Sequence, residues 1–201
     1  MIKVINLKIG NIGSISRALS FLKIRHEVSS NFKDLSNATK IILPGVGSFS
    51  KGMEQIEELN YRDAINEAVL NRKVPILGIC LGMQLLCLKG HEGGESLGLG
   101  LINGEVEFMA KENKLKVPHV GWNDVRNYGM RLFRDIQEEE SFYFVHSYKV
   151  KLNENISRGV TDYGEEFIST YEKDNIYGVQ FHPEKSQKSG LKLIQNFCEL
   201  C

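Results

Sequence analysis

Apolar residues follow two different rhythms along this chain. In the first half, short all-apolar runs alternate with stretches in which apolar residues recur every three or four positions. "IKVIN" (2–6) reads as a buried strand. A helix running to about Lys23 follows, capped by Asn11 or Ser14, with Ile15, Ala18, Leu19 and Leu22 on one face. "HEVSS" is a second strand, and "KIIL" (40–43) a third that Pro44 should end. From about Lys51 to Asn71, Met53, Ile56, Leu59, Ala64, Ile65, Ala68 and Val69 mark one or two amphipathic helices. "VPILGI" (74–79) is apolar enough for a strand buried on both faces of a parallel sheet, and a helix carrying Cys87 starts at about Leu81. The alternation predicts an α/β fold with a mostly parallel central sheet flanked by helices. The second half is β-rich and aromatic: "FYFVHSYKV" (142–150), "EFISTYE" (166–172) and "NIYGVQF" (175–181) read as strands, and a helix from about Gln187 to Glu199 closes the chain. With no repeat and no linker longer than the Gly-rich 90–100 stretch, residues 1–201 read as one domain.

Composition narrows the function classes. A chain of 201 residues buries about 70% of its unfolded surface, enough for a core without metal or disulfides. Formal net charge is zero and the basic residues are dispersed, which leaves no electrostatic footprint for nucleic acid or an anionic membrane. No apolar run approaches the ~20 residues of a membrane helix, and no secretory leader is expected. Cys80, Cys87, Cys198 and Cys201 lack zinc-site spacing and do not form a disulfide frame. The expectation is a cytoplasmic protein with reduced thiols, no metal and no cofactor.

The candidate chemistry starts at Cys80. Gly78-Ile79-Cys80-Leu81-Gly82 is G-x-C-x-G between a buried strand and a helix, the pattern of a nucleophile elbow. The glycines have a steric reason, because a Cβ at either would collide in so sharp a turn. A helix N-terminus favours a thiolate, and the Leu81 N–H can donate to an oxyanion. The bland alternative is a small buried cysteine, which is the reading for Cys87. A nucleophile needs a base. Among five histidines, His182 in "VQFHPEKS" ends a strand with Glu184 two residues on. In an extended segment the two side chains point the same way, so Glu184 can hold the ring as the acid of a triad does. The alternatives are a strand-end histidine beside a surface carboxylate and, with no third ligand in place, a metal pair. "LPGVGSF" (43–49) ends a strand with Gly45 and Gly47, whose backbone N–H groups can face an anion; alone it reads as a plain turn.

Together these stretches resemble the class I (triad) glutamine amidotransferases. Within that class the chain is similar to the glutaminase subunits of imidazole glycerol phosphate synthases. "GNIGSI", "LPGVGSF", "GICLGMQLL", "GLGLINGEV", "VPHVGWN", "YFVHSY" and "VQFHPEKS" occur in family order over nearly the whole chain. The resemblance implies Cys80 as nucleophile, His182 as acid/base and Glu184 as its orienter, with Gly45, Val46, Gly47 and Leu81 forming the oxyanion hole. It implies glutamine contacts from Gln84, Glu92, His146 and Ser147. Trp122, Asn123, Tyr143 and Lys185 would face the synthase partner and the ammonia passage. That partner would be a separate (β/α)₈-barrel cyclase subunit, in a heterodimer. Asn6-Leu7-Lys8 and Gly90-His91 depart from the usual family motifs, which keeps open a paralogue that supplies ammonia to a sugar amidotransferase. A cysteine peptidase, a γ-glutamyl hydrolase and a non-catalytic interaction subunit are the other readings. The glycines around Val46 also predict a loop able to turn either a carbonyl or an N–H toward Cys80.

Overall fold

The computed structural model describes residues 1–10, 12–109 and 116–201. The first half folds as its apolar pattern requires. Strands β1 (Ile2–Ile5), β2 (His26–Ser29), β3 (Lys40–Gly45) and β4 (Ile76–Cys80) alternate with helices α1 (Ile12–Phe21), α2 (Phe49–Glu58) and α3 (Tyr61–Asn66). With β13 (Ile176–Val179) they form a parallel block in the order β2-β1-β3-β4-β13. Alternate residues of these strands serve opposite faces. Ile41, Leu43 and Ile76 meet Met53, Ile56 and Ile65 of α2 and α3 on one side. Ile42, Leu77 and Ile79 meet Ile15 and Leu19 of α1, with Leu193, Ile194 and Phe197 of the closing helix α5 (Gln187–Leu200), on the other. Two helical layers thus cover the sheet.

Beyond β13 the sheet is antiparallel except where β5 (Cys87–Gly90) runs parallel to β7 (Ile102–Phe108), in keeping with the β-rich second half. Among the described residues it reaches thirteen strands, continuing through β12 (Glu166–Lys173), β10 (Tyr148–Leu152), β7, β5 and β6 (Ser96–Leu97). β11 (Ser157–Asp162) links it to a long hairpin-like ribbon of β8 (His119–Arg126) and β9 (Glu139–His146).

Several boundaries differ from the sequence pattern. Ser14 lies inside α1 rather than capping it; the alternative cap, Asn11, lies outside the described residues. β3 continues through Pro44 to Gly45. Its pairing with β1 stops at Ile42, so from Leu43 on one side of the strand is open and needs no N–H. Helix α4 (Leu81–Leu85) is one turn long, and Cys87 opens β5 instead of lying on that helix. Cys87 is nonetheless fully buried, as a small hydrophobe would be. The run 142–150 breaks at Ser147 into β9 and β10, and the 90–100 stretch contains β6.

Candidate active site

The carboxyl ends of β3, β4 and β13 converge, and open α/β sheets bind ligands at that edge. Cys80 is the last residue of β4, in register with Gly45 at the end of β3. Its backbone has φ 54° and ψ −110°, a left-handed conformation that costs a non-glycine residue about 1–3 kcal/mol and is kept only where neighbours impose it. Here they do. A Cβ on Gly78 would stand 2.7 Å from the Gly82 carbonyl, and one on Gly82 would stand 1.7 Å from the Leu43 carbonyl oxygen. Strand and helix are pressed together at Cys80, and only glycines allow the approach.

His182 follows β13. Its Nδ1 is 2.9 Å from Glu184 Oε1, and both side chains are only 3% exposed. The expected pair forms, but not on extended chain: Pro183–Lys185 make a 3-10 turn, because Pro183 closes the ladder and its fixed φ suits a helical turn. The His182 N–H donates to the Tyr143 carbonyl (2.8 Å) and Ser186 Oγ donates to the His182 carbonyl (2.7 Å), so the turn is held at both ends. His182 Nε2 is buried and makes no hydrogen bond of normal geometry among the described residues. Burial opposes charge on the ring, but the Cys80 sulfur and the Glu184 carboxylate outweigh it and push the His182 pKa up to about 10. The ring therefore holds its proton at neutral pH, with its unpartnered nitrogen on the side of the sulfur.

Cys80 opens on a cavity of about 370 Å³, lined by Val46, Gly47, Leu81, Gln84, Glu92, Pro118, Val145, His146, Ser147 and Tyr148 among others. All four residues expected to contact glutamine therefore reach it. Gly45, His182 and Glu184 are not among its lining residues. Gln84 Nε2 donates to the Tyr148 carbonyl (3.1 Å) and to Gln180 Oε1 (2.9 Å). Both amide protons are thereby used. Glu92 Oε2 accepts the Phe49 N–H (2.7 Å) at the start of α2, which ties the 90s loop to the 46–48 loop. Gly47 has φ 103° and open space around it, and Val46 is exposed.

The β8–β9 ribbon lines the cavity with His146 and carries a second buried histidine, His119, against it. His146 Nδ1 lies 2.9 Å from the Tyr148 carbonyl, which can only accept, so Nδ1 carries the proton. His146 Nε2 then accepts from His119 Nδ1 at 3.1 Å, and His119 Nε2 faces the Asn123 amide at 3.4 Å. Burial lowers the His119 pKa to about 4 and the His146 pKa to about 3; both rings are neutral at pH 7. The other face of the ribbon is open. Val120 and Trp122 are about half exposed, Trp122 packs edge-on to Tyr143 at 6.2 Å, and Lys185 Nζ lies 5.7 Å over the Tyr143 ring. Asn123 departs from this group: it follows Trp122 on the strand and so points to the opposite face, where its amide donates to the Asp162 carbonyl (2.9 Å).

Sequence patterning missed Tyr148, Gln180, Val145 and Pro118 as parts of the site, and gave His119 no role. Gln180 carried a signal, since it lies two residues before His182. The Tyr148 and Val145 contributions are backbone carbonyls and leave no trace in residue type.

The glutamine amidotransferase class-I family profile matches residues 4–200. "Imidazole glycerol phosphate synthase subunit HisH 1" of Campylobacter jejuni (strain RM1221) is 44% identical over 201 residues, covering 100% of both chains. Subunit HisH 2 of Methanococcus maripaludis is 46% identical over 200 residues, 98% of each chain. A solved structure described as a glutamine amidotransferase superimposes with a TM-score of 0.77 at 20% identity, over 99% of this chain and 97% of the other, a likeness of fold. The chain belongs to the class-I glutamine amidotransferase family.

Proposed function

We propose that this chain is the glutaminase subunit of an imidazole glycerol phosphate synthase, hydrolysing L-glutamine with Cys80, His182 and Glu184 and passing the ammonia to a separate (β/α)₈-barrel cyclase subunit. The observation that carries the chemistry is the buried Nε2 of His182, without a hydrogen bond of normal geometry among the described residues, beside a cysteine on a strained elbow. A buried polar atom without a partner is costly, and such atoms persist where a reaction uses them. The similarity to HisH subunits along the full chain supports the pathway. The reading includes a cytoplasmic location, where glutamine and a reduced thiol coexist.

In this mechanism the Cys80 thiolate, its proton held by His182, attacks the side-chain carboxamide carbon of glutamine. A C–S bond forms and the carbonyl oxygen takes the electron pair as an oxyanion. The backbone N–H groups of Leu81 and of the Gly45-Val46-Gly47 loop are assigned to that oxyanion. His182 gives its proton to the leaving nitrogen, the C–N bond breaks, and ammonia departs from a glutamyl thioester. Water then attacks the thioester while His182 takes its proton; the C–S bond breaks and glutamate leaves. Glu184 orients the ring and stabilises its charge throughout. Gln84, with both N–H groups committed, has its oxygen left to accept from the substrate's ammonium group; Glu92, His146 and Ser147 complete the pocket.

Trp122, Tyr143 and Lys185 are the proposed docking face. Ammonia in bulk water would become ammonium, so the passage to the partner must begin near Cys80. The freedom of the Val46–Gly47 peptide supports a hole that forms fully only when the partner is engaged. Steady-state glutamine hydrolysis tests this: kcat should rise about 10²–10³-fold on adding the cyclase subunit with an acceptor analogue. Equal kcat for the isolated chain would refute the switch, and failure of any cyclase subunit to accept the ammonia would refute the pathway.

A further inference from the structure

We propose that Gln180 is a positioning residue for the nucleophile: its buried amide donates to the Cys80 sulfur and, through Gln84, ties that sulfur to the wall of the substrate pocket. The proposal rests on the reading of Cys80 as the nucleophile.

Gln180 is fully buried one residue past β13, and its backbone N–H is already paired with the Ser169 carbonyl (2.8 Å). An apolar side chain would sit there without needing a partner, whereas a buried amide must have its hydrogen bonds met. The direction of those bonds is fixed from outside. The Tyr148 carbonyl can only accept, so Gln84 turns its amide nitrogen toward it. The same nitrogen faces Gln180, which must therefore present its oxygen to Gln84. That leaves the Gln180 nitrogen, 3.8 Å from Cys80 Sγ, as a donor to the sulfur.

Among the described residues Cys80 Sγ also faces the His182 ring, whose charge it favours, and the Val145 carbonyl, 3.9 Å away. Gln180 and Val145 favour different states of the sulfur. A carbonyl holds only a protonated sulfur; an N–H holds the sulfur in either state and gains strength as it becomes charged. Both contacts are long, as hydrogen bonds at catalytic groups commonly are before charge develops. Gln180 thus restrains the sulfur as it loses its proton. A substrate group engaging Gln84 acts on the same sulfur two hydrogen bonds away.

Two substitutions test this on the full chain bound to its cyclase partner. Gln180→Met keeps the length and removes donor and acceptor. Gln180→Glu keeps the acceptor that Gln84 needs, which preserves the local packing, and replaces the donor. Alkylation of the Cys80 peptide by iodoacetamide is followed by mass spectrometry across pH, with kcat and KM for glutamine measured alongside. We expect alkylation at neutral pH to slow about tenfold in both variants, with its profile moved to higher pH. kcat should fall about tenfold or more, with KM nearly unchanged because Gln84 keeps its Tyr148 anchor. Wild-type alkylation and kcat in either folded variant would overturn the proposal. So would an activity loss that tracks lost stability while the alkylation profile stays put. If the wild-type chain itself showed no glutamine-protected alkylation of Cys80, the nucleophile reading would fall first and Gln180's role with it.

Discussion

The β4–α4 elbow and the β8–β9 ribbon frame one cavity by opposite means. At the elbow, position is enforced by exclusion: atoms are so close around Gly78 and Gly82 that Cys80 has one place to be. On the ribbon, position is enforced by polarity: His119, His146 and the Tyr148 carbonyl form a directed chain in which every ring nitrogen has one allowed role. The first kind of order is intolerant of added atoms and indifferent to pH. The second tolerates changes of shape and depends on protonation. The nucleophile stands on the steric side, and the polar wall on the side that also carries the exposed Trp122–Tyr143 face.

The largest effect should come from breaking the steric side. In Gly82→Ala the new Cβ meets a backbone carbonyl at 1.7 Å, which no rotamer relieves. A loss above about 4 kcal/mol is expected, with no cooperative melt at 37 °C and no activity. Gly47→Ala meets nothing within 4 Å and suffers only its φ of 103°; thermal melting should show about 1–2 kcal/mol lost. Similar losses in the two would show that close approach is not what holds the elbow.

Next in size are the residues that join the two regions. His182→Ala should lower glutamine turnover nearly as far as loss of the nucleophile. Glu184→Gln should be about two orders of magnitude milder, because the ring loses a charge partner but keeps the nitrogen that moves the proton. Comparable damage from both would make Glu184 more than an orienting group.

The smallest effect belongs to the ribbon and appears only with pH. His119 and His146 stay neutral in the folded chain down to about 4 and about 3, whereas unfolded histidine takes up a proton near 6.5. Below 6.5 the unfolded state binds more protons, so stability should fall as pH drops from there toward 4. In His119→Asn, which keeps a donor near His146 but cannot titrate, urea unfolding should show a flatter profile over that window. In Gly47→Ala the profile should shift without changing slope. An unaltered slope in His119→Asn would mean that the histidine pair is not the acid-sensitive element.

The two regions also differed in how much the sequence revealed. The parallel strands could be read because burial on both faces demands unbroken apolar runs. The elbow could be read because steric exclusion writes itself as glycine. The length of α4 could not: "QLLCLKG" (84–90) is apolar through the helix and into β5, and periodicity does not separate helix from strand in such a run. Pro44 misled because its tolerance depends on where β1 stops, which is a property of the neighbouring strand. The ribbon's logic was the least visible. His119, His146, Gln84 and Gln180 take their roles from the direction of one carbonyl, at Tyr148, and the direction of a carbonyl has no residue code. Pairing within the His182–Glu184 segment was foreseen through extended geometry, yet a 3-10 turn delivers it.

The central claim is that glutamine is opened by covalent attack from Cys80, and acid-quench mass mapping tests it most directly. The full chain, bound to its cyclase partner and turning over glutamine, is quenched and digested. We predict one glutamyl group on the peptide carrying Cys80. In Cys80→Ala the adduct should be absent and hydrolysis reduced by about 10⁶, while the partner still works with added ammonium salt. Near-wild-type hydrolysis in Cys80→Ala, or the adduct on another cysteine, would contradict the account.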